Sequence, residues 1–387
     1  MTLGLAAIAM VGGKLSPVPD LVAIDLPAGG DFVAHLRAAW DRGDAVVPVD
    51  QRLAPTARTA LLDALRPALV VGPAGARRRP GGEPVDDGDV LVMATSGTTG
   101  RPKGVVLTRD AVEASARATS ARLGVDPSRH RWLACLPLSH VGGLSVVTRA
   151  LLTGTPLTVL AGFDAGAVRA HAGADTLVSL VATTLRRVGA DPFHTVVLGG
   201  SAPPGGLPAN VVTTYGMTET GSGVVYDGVA LDGVDVAIDP ARREIRVRGP
   251  MLARAYRDGT VPLDDSGWLA TGDAGWIDDD GRLHVDGRLS ELIITGGENV
   301  WPAAVEAILR HHPGVSQVAV AGRRDPEWGQ RVVAWVVPAT GAPRPTLASL
   351  RALVSEQLAG FAAPRQLELV DSLPTTAIGK VQRGRLR

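Results

Sequence analysis

Thr95-Ser96-Gly97-Thr98-Thr99-Gly100-Arg101-Pro102-Lys103-Gly104 follows directly on an apolar, β-branched run at residues 90–94 (VLVMA). Gly97, Gly100 and Gly104 let the backbone come close to an anion, with hydroxyls and N–H groups turned toward it, and Lys103 adds a mobile positive charge. These are the features of a phosphate cradle. The loop is not a Walker loop, because the G-x-x-x-x-G-K-[ST] spacing is absent. A flexible polar surface turn is the bland alternative, and the ordered series of hydroxyls, glycines, proline and cation argues against it.

Outward from this loop, residues 111–122 read as a helix with Thr108 or Asp110 as N-cap. Strand-like runs recur at residues 132–136, 157–160, 195–198 and 211–214, with helical segments between several of them. That alternation predicts an α/β fold with largely parallel sheets and flanking helices. Residues 73–88, rich in Gly, Pro, Arg and Asp, read as an exposed connector. The character changes near Gly267, where hairpin chemistry begins: Asp278-Asp279-Asp280-Gly281 sits between Trp276 and His284, and Asp286-Gly287 follows Val285. Past Arg288 lies a small α+β pattern, with a helix from Trp301, strands at 315–321 and 332–337, and a helix from Thr346. The expected division is a large N-terminal domain over residues 1–288 and a small C-terminal domain over 289–387.

Bulk properties agree. A chain of 387 residues with 45% apolar and 20% charged residues can build two cores, and its formal charge of zero gives no electrostatic footprint for nucleic acid or an anionic membrane. Cys135 is the single cysteine, which rules out intrachain disulfides and fits a reducing, cytoplasmic setting. The apolar run at residues 3–11 is too short to span a bilayer and has no basic segment before it, so it reads as an early core element rather than a signal peptide. Of the 39 basic residues only Lys14, Lys103 and Lys380 are lysine. Against so strong an arginine bias, a retained lysine marks a place where a compact point charge is wanted.

A second motif, Thr214-Tyr215-Gly216-Met217-Thr218-Glu219-Thr220-Gly221, also follows a strand. Its ring, hydroxyl and carboxylate could serve a base, a phosphate and Mg²⁺, an ion that takes oxygen ligands from one or two carboxylates plus substrate phosphates. Alone it could equally be a strand-to-loop turn. Together the two motifs resemble the paired signatures of the acyl-activating (adenylate-forming) superfamily of acyl-CoA synthetases, luciferases and nonribosomal peptide adenylation domains. Gly199-Gly200-Ser201-Ala202-Pro203 resembles its adenine-site strand end, and Thr271-Gly272-Asp273 its ribose segment. Asp286-Gly287-Arg288 with residues 293–299 is similar to its hinge and following loop. Pro374-Thr375-Thr376-Ala377-Ile378-Gly379-Lys380 is similar to its C-terminal lysine motif.

The resemblance implies ATP, Mg²⁺ and, as co-substrate, coenzyme A. It implies that Thr95, Ser96, Gly97, Thr98, Thr99, Gly100 and Lys103 hold the β- and γ-phosphates. Tyr215 and Gly216, with Gly200, Ser201 and Ala202, would flank adenine. Thr218 would reach the α-phosphate, Glu219 would ligate Mg²⁺, Asp273 with Arg288 would take the ribose, and catalytic Lys380 would bridge the acid and the α-phosphate. A carboxylate attacking a phosphate brings two anions together, so cations rather than a base are what the chemistry needs.

His140, in Pro137-Leu138-Ser139-His140-Val141-Gly142-Gly143-Leu144, is either structural, as a lone histidine beside an apolar run usually is, or the gate of the acyl pocket that the family often has there. Rotation of a mobile C-terminal domain about position 290 would present Gly296, Gly297 and Glu298 to CoA. The family usually has Asp or Lys at that hinge; here it is Ser290, which puts the rate of rotation in question. No carrier domain is expected after Arg387, which favours a standalone CoA ligase over a carrier-loading enzyme or a ligase for another aryl or fatty acid. The short region before the phosphate loop and the runs at 215–228 and 296–302 resemble the compact actinobacterial type of o-succinylbenzoate–CoA ligase of menaquinone biosynthesis. Such a substrate has a second carboxylate, for which Ser139, His140 and Ser222 are candidates by position. Partners are thus expected to be small molecules, without nucleic acid or membrane insertion; a homodimer is left open.

Overall fold

The computed structural model describes residues 18–96, 102–200, 203, 205–375 and 381–386. The readings at residues 3–11, at Gly97, Thr98, Thr99, Gly100 and Arg101, at Ser201 and Ala202, and at Thr376, Ala377, Ile378, Gly379 and Lys380 lie outside them. Internal contacts divide the chain into two units, Met1–Val236 with Val247–Leu269, and Ala237–Arg246 with Ala270–Arg387. The boundary expected between residues 288 and 289 falls within the second unit.

In chain order the first unit carries β1 (Leu21–Ile24), β2 (Ala45–Pro48), β3 (Leu69–Gly72), β4 (Gly75–Arg78), β5 (Asp89–Ser96) and β6 (Pro102–Thr108). Then come β7 (Arg131–Ala134), β8 (Leu157–Val159), β9 (Thr176–Leu180), β10 (Thr195–Leu198), β11 (Val211–Gly216), β12 (Gly223–Tyr226) and β13 (Val229–Ala230). β14 (Asp235–Ile238) and β15 (Glu244–Arg248) are divided between the two units, and β16 (Ala255–Tyr256) is the last strand wholly within the first. One sheet runs β16-β6-β5-β2-β1-β3-β4 and a second runs β13-β12-β11-β10-β9-β7-β8. Both are parallel in the middle: β1 pairs parallel with β2 and β3, and β10 with β9 and β11; the first is antiparallel at both edges, through β6 and β4, and the second only at its β12 side, since its edge strand β8 pairs parallel with β7.

The central strands LVAI and AVVP are buried along their whole length, as expected for strands covered on both faces. Helix Arg109–Arg122 begins where the Thr108 hydroxyl accepts the Ala111 N–H at 3.2 Å, which decides between the two expected caps. The separate cores under the two sheets are aliphatic, centred on residues such as Leu21, Leu65 and Val92 in one and Leu133, Val178 and Val196 in the other.

Two differences from the sequence reading have clear causes. Pro102–Thr108 is a strand that runs antiparallel to Asp89–Ser96, with Thr95 opposite Lys103 and Ser96 opposite Pro102. Proline is tolerated at the first residue of a strand, and its turn signal masked the buried VVL that follows. Residues 73–88 are not all connector: Gly75–Arg78 pairs along its length with β3, both of its arginines exposed as befits an edge strand, and Val85 is part of the core.

The second unit holds β17 (Leu269–Ile277), β18 (Leu283–Arg288), β19 (Ile293–Thr295), β20 (Glu298–Val300), β21 (Val315–Asp325), β22 (Gly329–Pro338) and β23 (Gln366–Leu369). β17 and β18 form a hairpin whose turn is tied by the Asp278 carboxylate, which accepts from the N–H groups of Asp280 and Arg282. A five-stranded sheet built on the long β21–β22 hairpin packs against helices Pro302–Leu309 and Leu347–Ser355. Pro302 opens the first of these helices and Thr346 caps the second, its hydroxyl accepting from Ser349 N–H at 3.1 Å.

Candidate active site

The parallel pairing of β10 with β11 places Leu198 beside Thr213, so Gly199-Gly200, just past β10, and Tyr215-Gly216, the last residues of β11, lie at the same, carboxyl end of the parallel strands. This is where open α/β sheets bind ligands. Local packing explains the glycines. A Cβ on Gly216 would lie 2.2 Å from the Ser222 carbonyl oxygen, and Gly200 has φ +90. The turn Thr218–Thr220 is locked by buried Thr220, whose hydroxyl accepts from Met217 N–H at 2.9 Å and donates to the Ser222 carbonyl at 2.6 Å. Thr218 and Glu219 are thereby carried on a rigid turn, both half-buried.

Lys103 and Glu219 come together through a residue the motifs did not single out. Tyr256 on β16 pairs with Val105 of β6, two residues along the strand from Lys103. The Lys103 ammonium lies 5.0 Å from the centroid of its ring, and its phenol donates to Glu219 Oε1 at 2.9 Å. Burial, followed by the Glu219 charge, pushes the phenol above its ordinary range, so it remains a donor. The one available signal was rarity: the chain has three tyrosines, at 215, 226 and 256.

The helix Val141–Thr153 starts at His140, which occupies the N-cap without a side-chain capping bond. Its Nε2 lies 3.1 Å from Arg52 Nη2 and 3.7 Å from Asp50 Oδ2. Arginine can only donate, so this ring nitrogen accepts and the imidazole is neutral. Burial and then Arg52 lower its pKa, partly offset by Asp50. Burial would raise the Asp50 carboxyl, but hydrogen bonds from Arg52 outweigh it and hold the group at about 2. Ser139 is buried with a hydroxyl that has no partner.

Behind these residues lies a narrow cavity lined by Leu91, Met93, Val112, Leu144, Gly221 and Arg149 among others. Arg149 is 2% exposed and stacks 4.8 Å from the centroid of Trp132. Its Nη2 donates to Ser222 Oγ at 3.2 Å, while Nε and Nη1 have no partner. The site reading missed this arginine, although it is the only Asp, Glu, Lys or Arg between Arg131 and Asp164. Cys135 nearby in sequence is buried core, its thiol pushed up to about 12 by burial.

In the second unit, Asp273 and Arg288 face each other across β17 and β18, joined by a 2.8 Å ion pair, and Arg288 Nη1 also donates to the Thr271 carbonyl. Gly296 and Gly297, with φ +60 and +85, make the two-residue turn of the β19–β20 hairpin, in which Thr295 pairs with exposed Glu298. A Cβ on Gly296 would meet the Trp328 ring at 2.7 Å. Ser290 is exposed in the short turn Leu289–Glu291. Next to it, Glu291 receives Arg383 Nη1 at 2.6 Å, and the same arginine donates to buried Glu306 at 2.8 Å. Thr375 and Val381, which bracket the lysine motif, pair in an antiparallel bridge.

Among the described residues no cluster of three or more His, Cys, Asp or Glu side chains could cage a metal. The donor set fits Mg²⁺ shared between Glu219 and substrate phosphates, since Tyr256 occupies only one of the two carboxylate oxygens. No helix among the described residues is long and apolar enough to cross a membrane.

Residues 76–256 match the AMP-binding enzyme family and residues 304–380 match the AMP-binding enzyme C-terminal domain. The chain is 42% identical over 394 residues to the probable 2-succinylbenzoate–CoA ligase of Mycobacterium tuberculosis (strain ATCC 25618 / H37Rv), covering 94% of this chain and 97% of that protein. In structure it is similar to the o-succinylbenzoate CoA synthetase (MenE) from Bacillus subtilis in complex with the acyl-adenylate intermediate OSB-AMP. That likeness has 27% identity and a TM-score of 0.84 and covers 99% of this chain and 92% of the other. The same Bacillus protein in complex with ATP and magnesium ion matches at 27% identity with a TM-score of 0.83, over 98% and 91% of the two chains. With sequence identity running through both matched segments and nearly the full length of the mycobacterial relative, the chain belongs to the AMP-binding enzyme family.

Proposed function

We propose that the protein is an ATP-dependent acid–CoA ligase that forms an acyl-adenylate and then a CoA thioester, with 2-succinylbenzoate as its acid, acting in the cytoplasm in menaquinone biosynthesis. The observation that carries the adenylating chemistry is the Lys103–Tyr256–Glu219 arrangement, which holds a cation and a metal-binding carboxylate around one ring. The substrate follows from the relatives, which are named for 2-succinylbenzoate.

In this reading Lys103, with the backbone and hydroxyls of the loop from Thr95, binds the β- and γ-phosphates and stabilises the leaving pyrophosphate. Gly200 and Tyr215 flank adenine, and Thr218 donates to the α-phosphate. Asp273, oriented by Arg288, accepts from the ribose hydroxyls. Glu219 holds Mg²⁺, which neutralises phosphate charge when bound. The acid attacks as its carboxylate, already ionised at neutral pH, so no residue has to remove a proton. Lys380 offsets the repulsion between that carboxylate and the α-phosphate. For the second step, the Gly296-Gly297-Glu298 hairpin contributes to the CoA path and Ser290 serves as the pivot.

The test is pyrophosphate release with a panel of acids, with and without CoA. Turnover of 2-succinylbenzoate should exceed that of benzoate and medium-chain acids, and thioester should appear only with CoA. Equal turnover across the panel would remove the substrate assignment. Lys380→Ala should abolish adenylation yet still convert supplied acyl-adenylate to thioester; normal adenylation by that variant would remove the role given to Lys380.

A further inference from the structure

A strand residue ordinarily spends its backbone N–H and C=O on the neighbouring strand, so a side chain that takes one of them marks a place where the ladder has been given up. The second unit has such a place beside Asp273. β17 lies between β15 and β18. Within it Gly272 takes φ +72, a left-handed conformation that interrupts the regular pleat. Its N–H donates to Glu244 Oε1, on β15, at 2.8 Å. Next to it the buried Thr271 hydroxyl donates to the Ile245 carbonyl at 2.7 Å and accepts from the Asp273 N–H at 3.1 Å. Two side chains here stand in for ladder partners.

The Thr271 carbonyl and the Gly272 N–H belong to one peptide group, and in a trans peptide they point in opposite directions. An anion, Glu244, holds the N–H end. A cation holds the other end, since Arg288 Nη1 donates to the Thr271 carbonyl at 3.2 Å, and Arg288 Nε pairs with Asp273 Oδ1 at 2.8 Å. Charge therefore alternates from Glu244 through the peptide dipole and Arg288 to Asp273. Glycine does not fix this orientation by itself, because it accepts positive and negative φ about equally. A flipped peptide would set its carbonyl against the Glu244 carboxylate and its N–H against the Arg288 guanidinium, opposing like charge at both ends. Glu244 thus selects the observed orientation, and with it the seat of the guanidinium against Asp273.

We infer that Glu244 is a positioning residue of the nucleotide site: it fixes the peptide joining Thr271 to Gly272 so that Arg288 is seated beside Asp273 and the Asp273 carboxylate is aimed at the ribose hydroxyls. This rests on the assignment of Asp273 to the ribose made above. Glu244 itself touches no substrate in this scheme. A glutamate that only joined β15 to β17 would support every part of the nucleotide alike, whereas one that aims Asp273 acts on the ribose hydroxyls alone.

The experiment measures binding of ATP and of 2′,3′-dideoxy-ATP, which has no ribose hydroxyls, to the full chain by calorimetry with Mg²⁺ present; thermal unfolding checks that each variant is folded. Wild type should bind ATP more tightly than the dideoxy nucleotide. Glu244→Met should raise the Kd for ATP about tenfold and leave the Kd for the dideoxy nucleotide unchanged. Glu244→Gln keeps an acceptor without its charge, so its preference for ATP should fall between the two. Equal weakening toward both nucleotides, or an undiminished preference for ATP, in either variant would overturn the inference, so the glutamine variant decides the matter if the methionine variant does not fold. Asp273→Asn separates this from the ribose assignment. If that variant keeps the wild-type preference for ATP, or wild type has none, the assignment of Asp273 is wrong and the inference falls with it. If Asp273→Asn loses the preference while Glu244→Met keeps it, only the inference fails. Added to Asp273→Asn, Glu244→Met should cause no further loss.

Discussion

Removing Arg383 tests whether the second unit depends on a buried charge network. Arg383 is 17% exposed at its side chain and donates to Glu291 Oε2 at 2.6 Å, Glu306 Oε1 at 2.8 Å and the Val320 carbonyl at 3.1 Å. Glu306, 5% exposed at its side chain, keeps two other donors, the Val320 N–H at 2.8 Å and the half-exposed Arg310 at 3.2 Å. Breaking a buried pair from one side costs about 3–5 kcal/mol. The two remaining donors lower that figure, and the more exposed Glu291 contact adds about 0–1 kcal/mol. Arg383→Met should therefore destabilise the second unit by about 3 kcal/mol, read as a lower urea midpoint by tryptophan fluorescence of the full chain. Glu306→Gln combined with Arg383→Met removes the stranded charge but keeps an acceptor for the Val320 N–H, so it should regain most of that loss. Arg383 also follows the Thr375–Val381 bridge at the base of the lysine motif, so the single variant should slow adenylation while ATP binding by the first unit is retained. A single variant within about 0.5 kcal/mol of wild type, or a double variant no more stable than the single, would refute the reasoning.

Other expectations follow from individual contacts. Tyr256→Phe deletes a hydrogen bond to a charged acceptor, so the Mg²⁺ concentration for half-maximal pyrophosphate release should rise by about tenfold; an unchanged Mg²⁺ titration would show that the phenol does not orient Glu219. Gly296→Ala forces a side chain onto the Trp328 ring at a positive φ, and should slow thioester formation by more than it slows adenylation, measured in separate half-reaction assays. His140 has a folded-state pKa below its ordinary value of 6.5, so it opposes protonation when folded. Its contribution to stability is full above about pH 6.5 and declines as pH falls toward its folded pKa. Chemical denaturation at pH 8 and pH 5.5 should show a smaller pH-dependent loss in His140→Asn than in wild type, and identical losses would refute it.

What could be read from the sequence and what could not divide along a physical line. Local backbone demands are written in consecutive residues. Gly216 is glycine because the Ser222 carbonyl passes too close, and Gly296-Gly297 because both turn positions need positive φ. Thr108 and Thr346 announce helix starts through hydroxyls placed three residues before the N–H they cap. Motifs made of such residues are legible, and so were the parallel strands at 195–198 and 211–214, which are rich in β-branched residues. Tyr256, Arg149 and Arg383 escaped because each meets its partner across a long stretch of chain: 37 residues from Tyr256 to Glu219, 73 from Arg149 to Ser222 and 77 from Arg383 to Glu306. No period or spacing rule reaches that far. A residue out of keeping with its surroundings can nevertheless be noticed before its partner is known. Lys103 stands out in a chain whose cations are nearly all arginine. Arg149 stands out by the same logic, as a charge in an uncharged stretch.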